Sequence, residues 1–223
     1  MSITKNVQTI EDKIDEICQR KGRNPKSVSI VGVTKYVDTE IALSLLKAGL
    51  SHLGENRPEI LLEKKGSIGK KANWHFVGSL QSRKVRGIIN EVDYLHSLDR
   101  LSLAEAIDKH AHSKIKCFVQ VNVSKEESKH GIDQDQLIDF IMALKDYEKI
   151  DVIGLMTMAP NTTDTSVIRH CFKQLKESQL AVQKLALPHA PCRELSMGMS
   201  NDYEIAIEEG ATFIRLGRLL TEE

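Results

Sequence analysis

The sequence lacks a charge bias and a long apolar run, and each absence argues against a class of protein. The 31 basic and 31 acidic residues cancel, so the sequence offers no electrostatic footprint for nucleic acid or an anionic membrane. No segment approaches the ~20 apolar residues of a membrane helix. Met1–Asp12 also lacks the apolar core of a signal peptide. We therefore expect neither a nucleic-acid partner nor a membrane partner.

The sequence also lacks closely spaced cysteines. The four cysteines are far apart and form no Cys-x-x-Cys pair: Cys18, Cys117, Cys171 and Cys192. This spacing favours reduced thiols in a cytoplasmic protein over a disulfide framework. No metal site is predicted.

Short apolar segments alternate with helix-like segments along the chain. The candidate strands are Val28–Lys35, His52–Gly54, Trp74–Gly78, Val92–His96, Ile115–Val123, Asp151–Thr157, Arg193–Ser196 and Thr212–Leu216. The first is rich in β-branched residues with little alternation, which is typical of a strand buried on both faces of a parallel sheet. Eight such strands, with no Gly-x-Gly-x-x-Gly fingerprint after the first, predict one α/β domain over residues 1–223. Its predicted architecture is a closed (β/α)8 TIM-type barrel.

Helical periodicity and capping residues place helices between these strands. The predicted helices are Ile3–Lys21, Thr39–Ala48, Pro58–Lys65, Ser82–Asn90, a helix capped by Asp99 that reaches His110, Asp133–Tyr147, a long helix after Asp164, and Asn201–Glu209. The charged run 125–129 is predicted to be a solvated loop. Only Arg218–Glu223 follows the last strand, so the C-terminal end is truncated and too short for the usual closing helix. We expect the extra N-terminal helix to cover the surface that such a helix would shield.

Lys35 is the first candidate site residue, because it stands where the first buried strand emerges. A lysine beside a buried interior can be held neutral and nucleophilic, which suits Schiff-base chemistry with an aldehyde. The alternative is a lysine that only marks the surface after a core strand.

A second candidate site lies in the loops after the seventh and eighth strands, where barrels commonly bind phosphate. The loop after the seventh strand contains Gly198, Met199 and Ser200 immediately before a predicted helix start. Free N–H groups and the helix dipole favour an anion there, although Ser200 could equally be only a helix cap. The loop after the eighth strand supplies Gly217 and Arg218. Together with Lys35, these loops suggest an aldehyde that bears a phosphate.

Several segments carry a family resemblance: VGVTKY, HLGENR, WHFVGSLQSRKV, HSLDRLSLAEAI, VQVNVSKEESKHG, IGLMTMAP and ELSMGMSNDYEIAIEEGATFIRLG. In this order they resemble the pyridoxal phosphate homeostasis protein family, from about Ile30 to Gly217. The resemblance implies a monomeric barrel, similar to the N-terminal domain of alanine racemase, that holds pyridoxal 5′-phosphate (PLP) as a Schiff base on Lys35.

The resemblance also implies the other cofactor contacts. Asn56 would lie near the phenolic oxygen of the ring, and Arg215 would face the pyridine nitrogen. Ser200 and the Gly217 backbone would hold the phosphate, with Gly198, Met199, Arg218 and His75 as further candidates. For His75, which alternates with aromatic residues in a strand, packing or hydrogen bonding is the simpler expectation. The family usually carries a small hydroxyl residue where this chain has Arg218, so one side-chain contact to the phosphate is expected to be missing.

The function implied by the resemblance is that of a non-enzymatic carrier. An arginine opposite the pyridine nitrogen disfavours the protonated ring and makes the cofactor a poorer electron sink. Such a protein would bind, buffer or deliver PLP, through transient contact with PLP-dependent apo-enzymes, and so balance vitamin B6 and amino-acid pools. No catalytic residue is predicted. Two alternatives stay open, namely a PLP-dependent racemase or decarboxylase, and a Schiff-base aldolase acting on a sugar phosphate. Racemisation of the alanine racemase type needs a second base from a separate domain, which a chain of this length is not expected to include.

Overall fold

Eight parallel strands close into a barrel in the computed structural model, which describes residues 2–124 and 130–222. The strands are β1 Ser29–Val33, β2 His52–Glu55, β3 Asn73–Phe76, β4 Tyr94–Leu98, β5 Ile115–Asn122, β6 Ile132–Asp133, β7 Ile150–Met156, β8 Glu194–Ser196 and β9 Phe213–Leu216. They pair in the order β1-β2-β3-β4-β5-β7-β8-β9, and β9 pairs back to β1. The predicted TIM-type barrel is therefore confirmed. The two-residue β6, which was not predicted, pairs only with β5, and the predicted loop 125–129 lies outside the described residues.

Helices surround the barrel. They are α1 Ile3–Arg20, α2 Thr39–Lys47, α3 Pro58–Ile68, α4 Val85–Ile88, α5 Leu101–His110, α6 Leu137–Ala143, α7 Thr165–Lys184, α8 Tyr203–Glu208 and α9 Arg218–Thr221. Asp38 and Asp164 cap α2 and α7 by accepting backbone N–H bonds. Among the described residues, no helix is long and apolar enough to cross a membrane.

Some predicted helices differ from the structure in their extent or in their caps. The helix at 82–90 is only one α-helical turn, α4, between two 3-10 segments, and α6 is likewise flanked by 3-10 turns. Asp99 does not cap α5: Arg100 occupies the cap position and its guanidinium bonds the Asp99 carboxylate at 2.6 Å.

The N-terminal helix α1 packs against the helices at the C-terminal side of the sequence, α8 and α9. Its apolar face is buried and it lies against α8 and the four-residue α9. The Asn6 side-chain amide donates to the carbonyls of Leu220 and Glu222 at 3.2 and 3.1 Å, and Leu220 is fully buried. The expectation that α1 covers the surface beside the short segment after the last strand is therefore confirmed.

The barrel interior is more polar than usual. TIM-barrel interiors are mostly filled with branched apolar side chains, and Val31, Phe118, Met156 and Phe213 form a small cluster of buried apolar residues here. Beside them the interior strands bury His75, His96, Ser196 and Arg215. Burying polar groups is costly unless they are hydrogen-bonded, so their partners define what the interior can do.

Candidate cofactor site

Most of the predicted site residues meet at one rim of the barrel, which we define as the carboxyl ends of the strands. Lys35 lies two residues beyond β1, and Asn56 and Gly217 directly follow β2 and β9. These three strands are neighbours, since β1 pairs with both β2 and β9. The loop with Gly198, Met199 and Ser200 follows β8, the next neighbour of β9. The barrel thus brings together residues that are distant in sequence.

The Lys35 side chain is exposed, whereas Thr34 before it is buried. Its Nζ lies 4.8 Å from the ring centroid of Tyr36, which is itself 85% exposed. A cavity of about 350 Å³ beside it is also lined by Asp38 and Lys64. The Lys35 side chain thus lies outside the buried interior from which β1 emerges. Lys35 is instead an amine that an aldehyde can reach from solution.

A buried ion pair, which the sequence analysis missed, underlies this rim. Lys64 Nζ lies 2.6 Å from Glu55 Oε1 and donates to the Thr34 carbonyl at 2.6 Å. The same Glu55 oxygen accepts from the Thr34 hydroxyl at 2.5 Å. Thr34 and Glu55 immediately precede Lys35 and Asn56, so this Thr34–Glu55–Lys64 clamp fixes the strand ends that present the two predicted cofactor residues.

Arg215 points into the barrel interior and is only 6% exposed. Its Nη1 donates to Ser196 Oγ at 2.6 Å and its Nη2 to the Thr157 carbonyl at 3.0 Å. Burial lowers the pKa of Arg215 to about 10, and the nearby Asp202 carboxylate partly opposes this shift. The guanidinium therefore stays charged at neutral pH. It also has more N–H groups than these two bonds use, so it can donate to a further acceptor in the interior.

Three histidines continue the hydrogen bonding from Ser196. His96 Nδ1 lies 2.8 Å from Ser196 Oγ, His75 Nδ1 lies 2.8 Å from His96 Nε2, and His52 Nδ1 lies 2.8 Å from His75 Nε2. Both ring nitrogens of His75 are engaged, so packing and hydrogen bonding describe it better than the suggested direct cofactor contact. The sequence analysis missed His52, His96 and Ser196. The spacing of 23 and 21 residues, one histidine per strand, was the available signal.

Burial dominates the electrostatics of these histidines. It lowers the pKa of His75 and of His96 well below the ordinary value, and the charge of Arg215 lowers that of His96 further. It also lowers the pKa of His52, where Asp93 opposes the shift and Lys116 adds to it. The three rings are therefore neutral at physiological pH.

The loop after β8 is tightly folded against α8. Gly198 has φ +93°, and a Cβ there would lie 2.6 Å from the Cβ of Ala206, so the position requires glycine. The Asp202 carboxylate accepts from the Met199 N–H at 2.6 Å and holds the loop in a turn. As a result the helix begins at Tyr203 and not at Asn201, with Asp202 in the cap position. Ser200 is half-buried in this turn and does not cap the helix.

The loop after β9 approaches the end of β1 closely. A Cβ on Gly217 would lie 3.3 Å from the Val33 carbonyl oxygen, so the two loops meet backbone to backbone. Arg218 begins α9 and is exposed. With the Lys35 amine and the Arg215 guanidinium, these turns offer groups that fit an aldehyde, a ring nitrogen and a phosphate on one ligand. Among the described residues, no cluster of His, Cys, Asp and Glu fits a metal ion.

Comparison with known proteins agrees with this geometry. The alanine racemase N-terminal domain profile matches residues 6–222. A pyridoxal phosphate homeostasis protein of Aquifex aeolicus is 35% identical over 230 residues, which cover 100% of this chain and 99% of the relative. The structure of PipY from Synechococcus elongatus with PLP bound superposes with a TM-score of 0.81 at 30% identity, covering 94% of this chain and 99% of that one.

A more distant neighbour shows the fold alone. Alanine racemase from Corynebacterium glutamicum superposes with a TM-score of 0.68 at 14% identity, and the match covers 96% of this chain and 60% of the racemase. The matching profile and the 35% identity to the Aquifex aeolicus protein over the whole chain show that the present chain belongs to the pyridoxal phosphate homeostasis protein family.

Proposed function

We propose that this barrel binds PLP as a Schiff base on Lys35 and acts as a carrier that keeps the cofactor and amino-acid pools in balance. The observation that carries the proposal is that neighbouring strands present a reachable amine and two glycine turns at one rim, while β9 also places a buried guanidinium in the interior. PLP supplies an aldehyde, a pyridine ring and a phosphate, one for each kind of group. Its binding to the relative PipY supports the same ligand here.

Each residue has a proposed part in holding the cofactor. Lys35 binds the aldehyde carbon and Asn56 orients the ring through its phenolic oxygen. Arg215 donates to the ring nitrogen, and Ser200 with the Gly217 backbone binds the phosphate. Gly198 and Met199 shape the phosphate loop by keeping its backbone against α8.

The proposed lack of turnover rests on Arg215. A guanidinium whose pKa is about 10 keeps its protons at neutral pH and so can only donate to the ring nitrogen. The ring is then not protonated and withdraws electrons weakly. We therefore propose a non-catalytic protein. We also propose a cytoplasmic monomer that hands PLP to apo-enzymes by transient contact.

Spectroscopy with a matched pair of variants tests the proposal. Adding PLP to the purified protein should produce the visible band of a Schiff base, and borohydride reduction should fix the cofactor mass on the peptide that contains Lys35. Lys35→Met should abolish the band, while Lys47→Met, at an exposed lysine at the end of α2, should retain it. A sugar-phosphate aldolase would give no visible band. An adduct mapped mainly to another lysine would reject the assignment of Lys35.

A further inference from the structure

The interior hydrogen bonds form one continuous path between the two ends of the barrel. We call the three side chains His52, His75 and His96 the histidine relay. His52 begins β2, so it stands at the amino ends of the strands, which we call the floor. The relay ends on Ser196 Oγ, which lies 2.6 Å from Arg215 Nη1. It therefore connects the floor to the residue that we place beside the cofactor ring.

Aromatic rings line the relay. The Tyr94 ring stacks on His75 with centroids 4.2 Å apart and 2° between the planes, and Phe118 stacks on His96 at 4.4 Å. Phe213 lies edge-on to His52 at 5.7 Å. These contacts support direct hydrogen bonds between the rings, in agreement with the 2.8 Å separations.

The His52 end of the relay faces a cavity at the floor. His52 is half-buried and lines a cavity of about 370 Å³, together with Glu11 and Asp15 of α1 and Lys26 of the segment Pro25–Ser27. His75 and His96 are fully buried. His52 is therefore the ring of the relay that solvent can reach from this cavity.

In the neutral relay the hydrogen bonds run from Arg215 toward His52. A guanidinium only donates, so Ser196 Oγ accepts from it, and the hydroxyl proton goes to His96 Nδ1, the acceptor 2.8 Å away. His96 then carries its proton on Nε2 and donates to His75 Nδ1. By the same reasoning His75 donates from Nε2 to His52 Nδ1, and His52 presents Nε2–H outward.

We propose that the histidine relay transmits the protonation state of His52 to Ser196 and Arg215, and so to the cofactor ring. His75 passes its Nε2 proton to His52 Nδ1, His96 passes its Nε2 proton to His75 Nδ1, and Ser196 passes its hydroxyl proton to His96 Nδ1, while one proton taken up from water restores the Ser196 hydroxyl. His52 is then doubly protonated and donates from Nδ1 to His75 Nε2, His75 and His96 carry their protons on Nδ1, and Ser196 accepts from both His96 and Arg215. The two states differ by that one proton. In the protonated state the Ser196 hydroxyl must turn its own proton toward another acceptor in the interior.

The charged groups around the relay determine the pH at which it switches. The charged and titratable groups near His52 are Asp93 and Tyr94 at the start of β4, Lys116 of β5, and the cavity residues Glu11, Asp15 and Lys26. Asp202 and His96 are the charged or titratable neighbours of Arg215. Because burial outweighs Asp93 at His52, the switch is expected at a pH below the ordinary histidine pKa of about 6.5.

Nitrogen-15 NMR of the cofactor-free protein tests the relay without relying on the proposed function. At neutral pH, His52, His75 and His96 should all carry the proton on Nε2. On acidification, His75 and His96 should change to the Nδ1–H form with the midpoint at which His52 becomes doubly protonated. The proposal would be overturned if His96 kept the Nε2–H form while His52 titrates. It would also be overturned if the tautomer change of His75 and His96 had a different midpoint from the protonation of His52.

Variants separate the relay from general acid effects. His52→Gln keeps an acceptor for His75 but does not titrate, so His75 and His96 should stay in the Nε2–H form throughout the folded range. His170→Gln, at an exposed position on α7, should leave the switch unchanged. Persistence of the switch in His52→Gln would refute the role of His52. Should that variant fail to fold, the wild-type titration still decides.

The link to the cofactor rests on the proposed function and has its own measurement. The visible band of PLP-loaded protein should change with pH at the midpoint seen by NMR, and His52→Gln should remove that change. If the visible band of the wild-type protein did not change at the midpoint seen by NMR, the link between the relay and the cofactor would be overturned. Failure to form any band would instead reject PLP binding, while the NMR result would stand.

Discussion

Replacing Lys64 by methionine is expected to destabilise the barrel by about 3–5 kcal/mol, because the substitution leaves the Glu55 carboxylate buried without its cation. Glu55 is fully buried, Lys64 is 4% exposed, and their charged atoms are 2.6 Å apart. Methionine nearly preserves the side-chain volume, so little of the loss comes from a cavity.

The remaining contacts cannot compensate. After the substitution, only the Thr34 hydroxyl still donates to Glu55 Oε1, and Oε2 has no hydrogen-bond partner among the described residues. The Thr34 carbonyl also loses its bond from Lys64. A domain is commonly stable by only about 5–15 kcal/mol, so the loss is a large share of the total.

Urea unfolding followed by the fluorescence of Trp74 provides the assay, since Trp74 is the single tryptophan and is fully buried. Lys84→Met is the matched control, because Lys84 pairs with Glu59 at 2.8 Å with both side chains exposed. Its midpoint should hardly move. Adding Glu55→Gln to Lys64→Met should recover part of the loss by removing the unpaired charge. Equal midpoints for Lys64→Met and Lys84→Met would refute the reasoning.

Three further predictions concern the cofactor. With Arg215 beside the ring nitrogen, the PLP-loaded protein should give no multiple-turnover exchange of amino-acid α-protons, and robust exchange in proportion to protein would contradict this. Ser200→Ala should weaken PLP about tenfold to a hundredfold, since a bond to a charged group is worth about 1.5–3 kcal/mol. Its effect on pyridoxal should be much smaller, and equal weakening of both ligands would exclude a phosphate contact. Arg218→Thr should tighten PLP by about 1 kcal/mol through one new hydrogen bond, because Arg218 is exposed. Weaker binding with a shallower salt dependence would show instead that Arg218 binds the phosphate.

The sequence was sufficient for the barrel because burial on both faces leaves a local pattern. Each of the eight ring strands lies within three residues of its predicted bounds, since each is a short apolar run between turn and cap residues. The ends of helices were harder to predict from the sequence wherever a side-chain contact determines them. The hydrogen bond from the Met199 N–H to the Asp202 carboxylate moves the start of α8 to Tyr203. The helix-forming preferences of the residues do not predict that bond.

The site residues divide in the same way. Lys35 and the loops after β8 and β9 follow from strand ends and glycine positions, which are local features of the chain. The pairing of Glu55 with Lys64 and the chain of His52, His75 and His96 depend on which side chains face each other across strands. His96 and Ser196, for example, are 100 residues apart. Such contacts become visible only once the register of the barrel is known.

The pairing of β1 with β9 means that the barrel can close only after β9 has been synthesised. The two strands pair from Ser29 with Phe213 to Gly32 with Leu216, so β1 lacks one neighbour until the last strand has left the ribosome. Arg215 and Gly217 emerge with that strand. Since chains are synthesised from the N-terminus and domains generally fold as units, a nascent chain that already displays Lys35 still lacks the groups proposed to hold the ring and the phosphate. Stable capture of the cofactor would therefore distinguish chains that already include β9 from shorter nascent chains during translation.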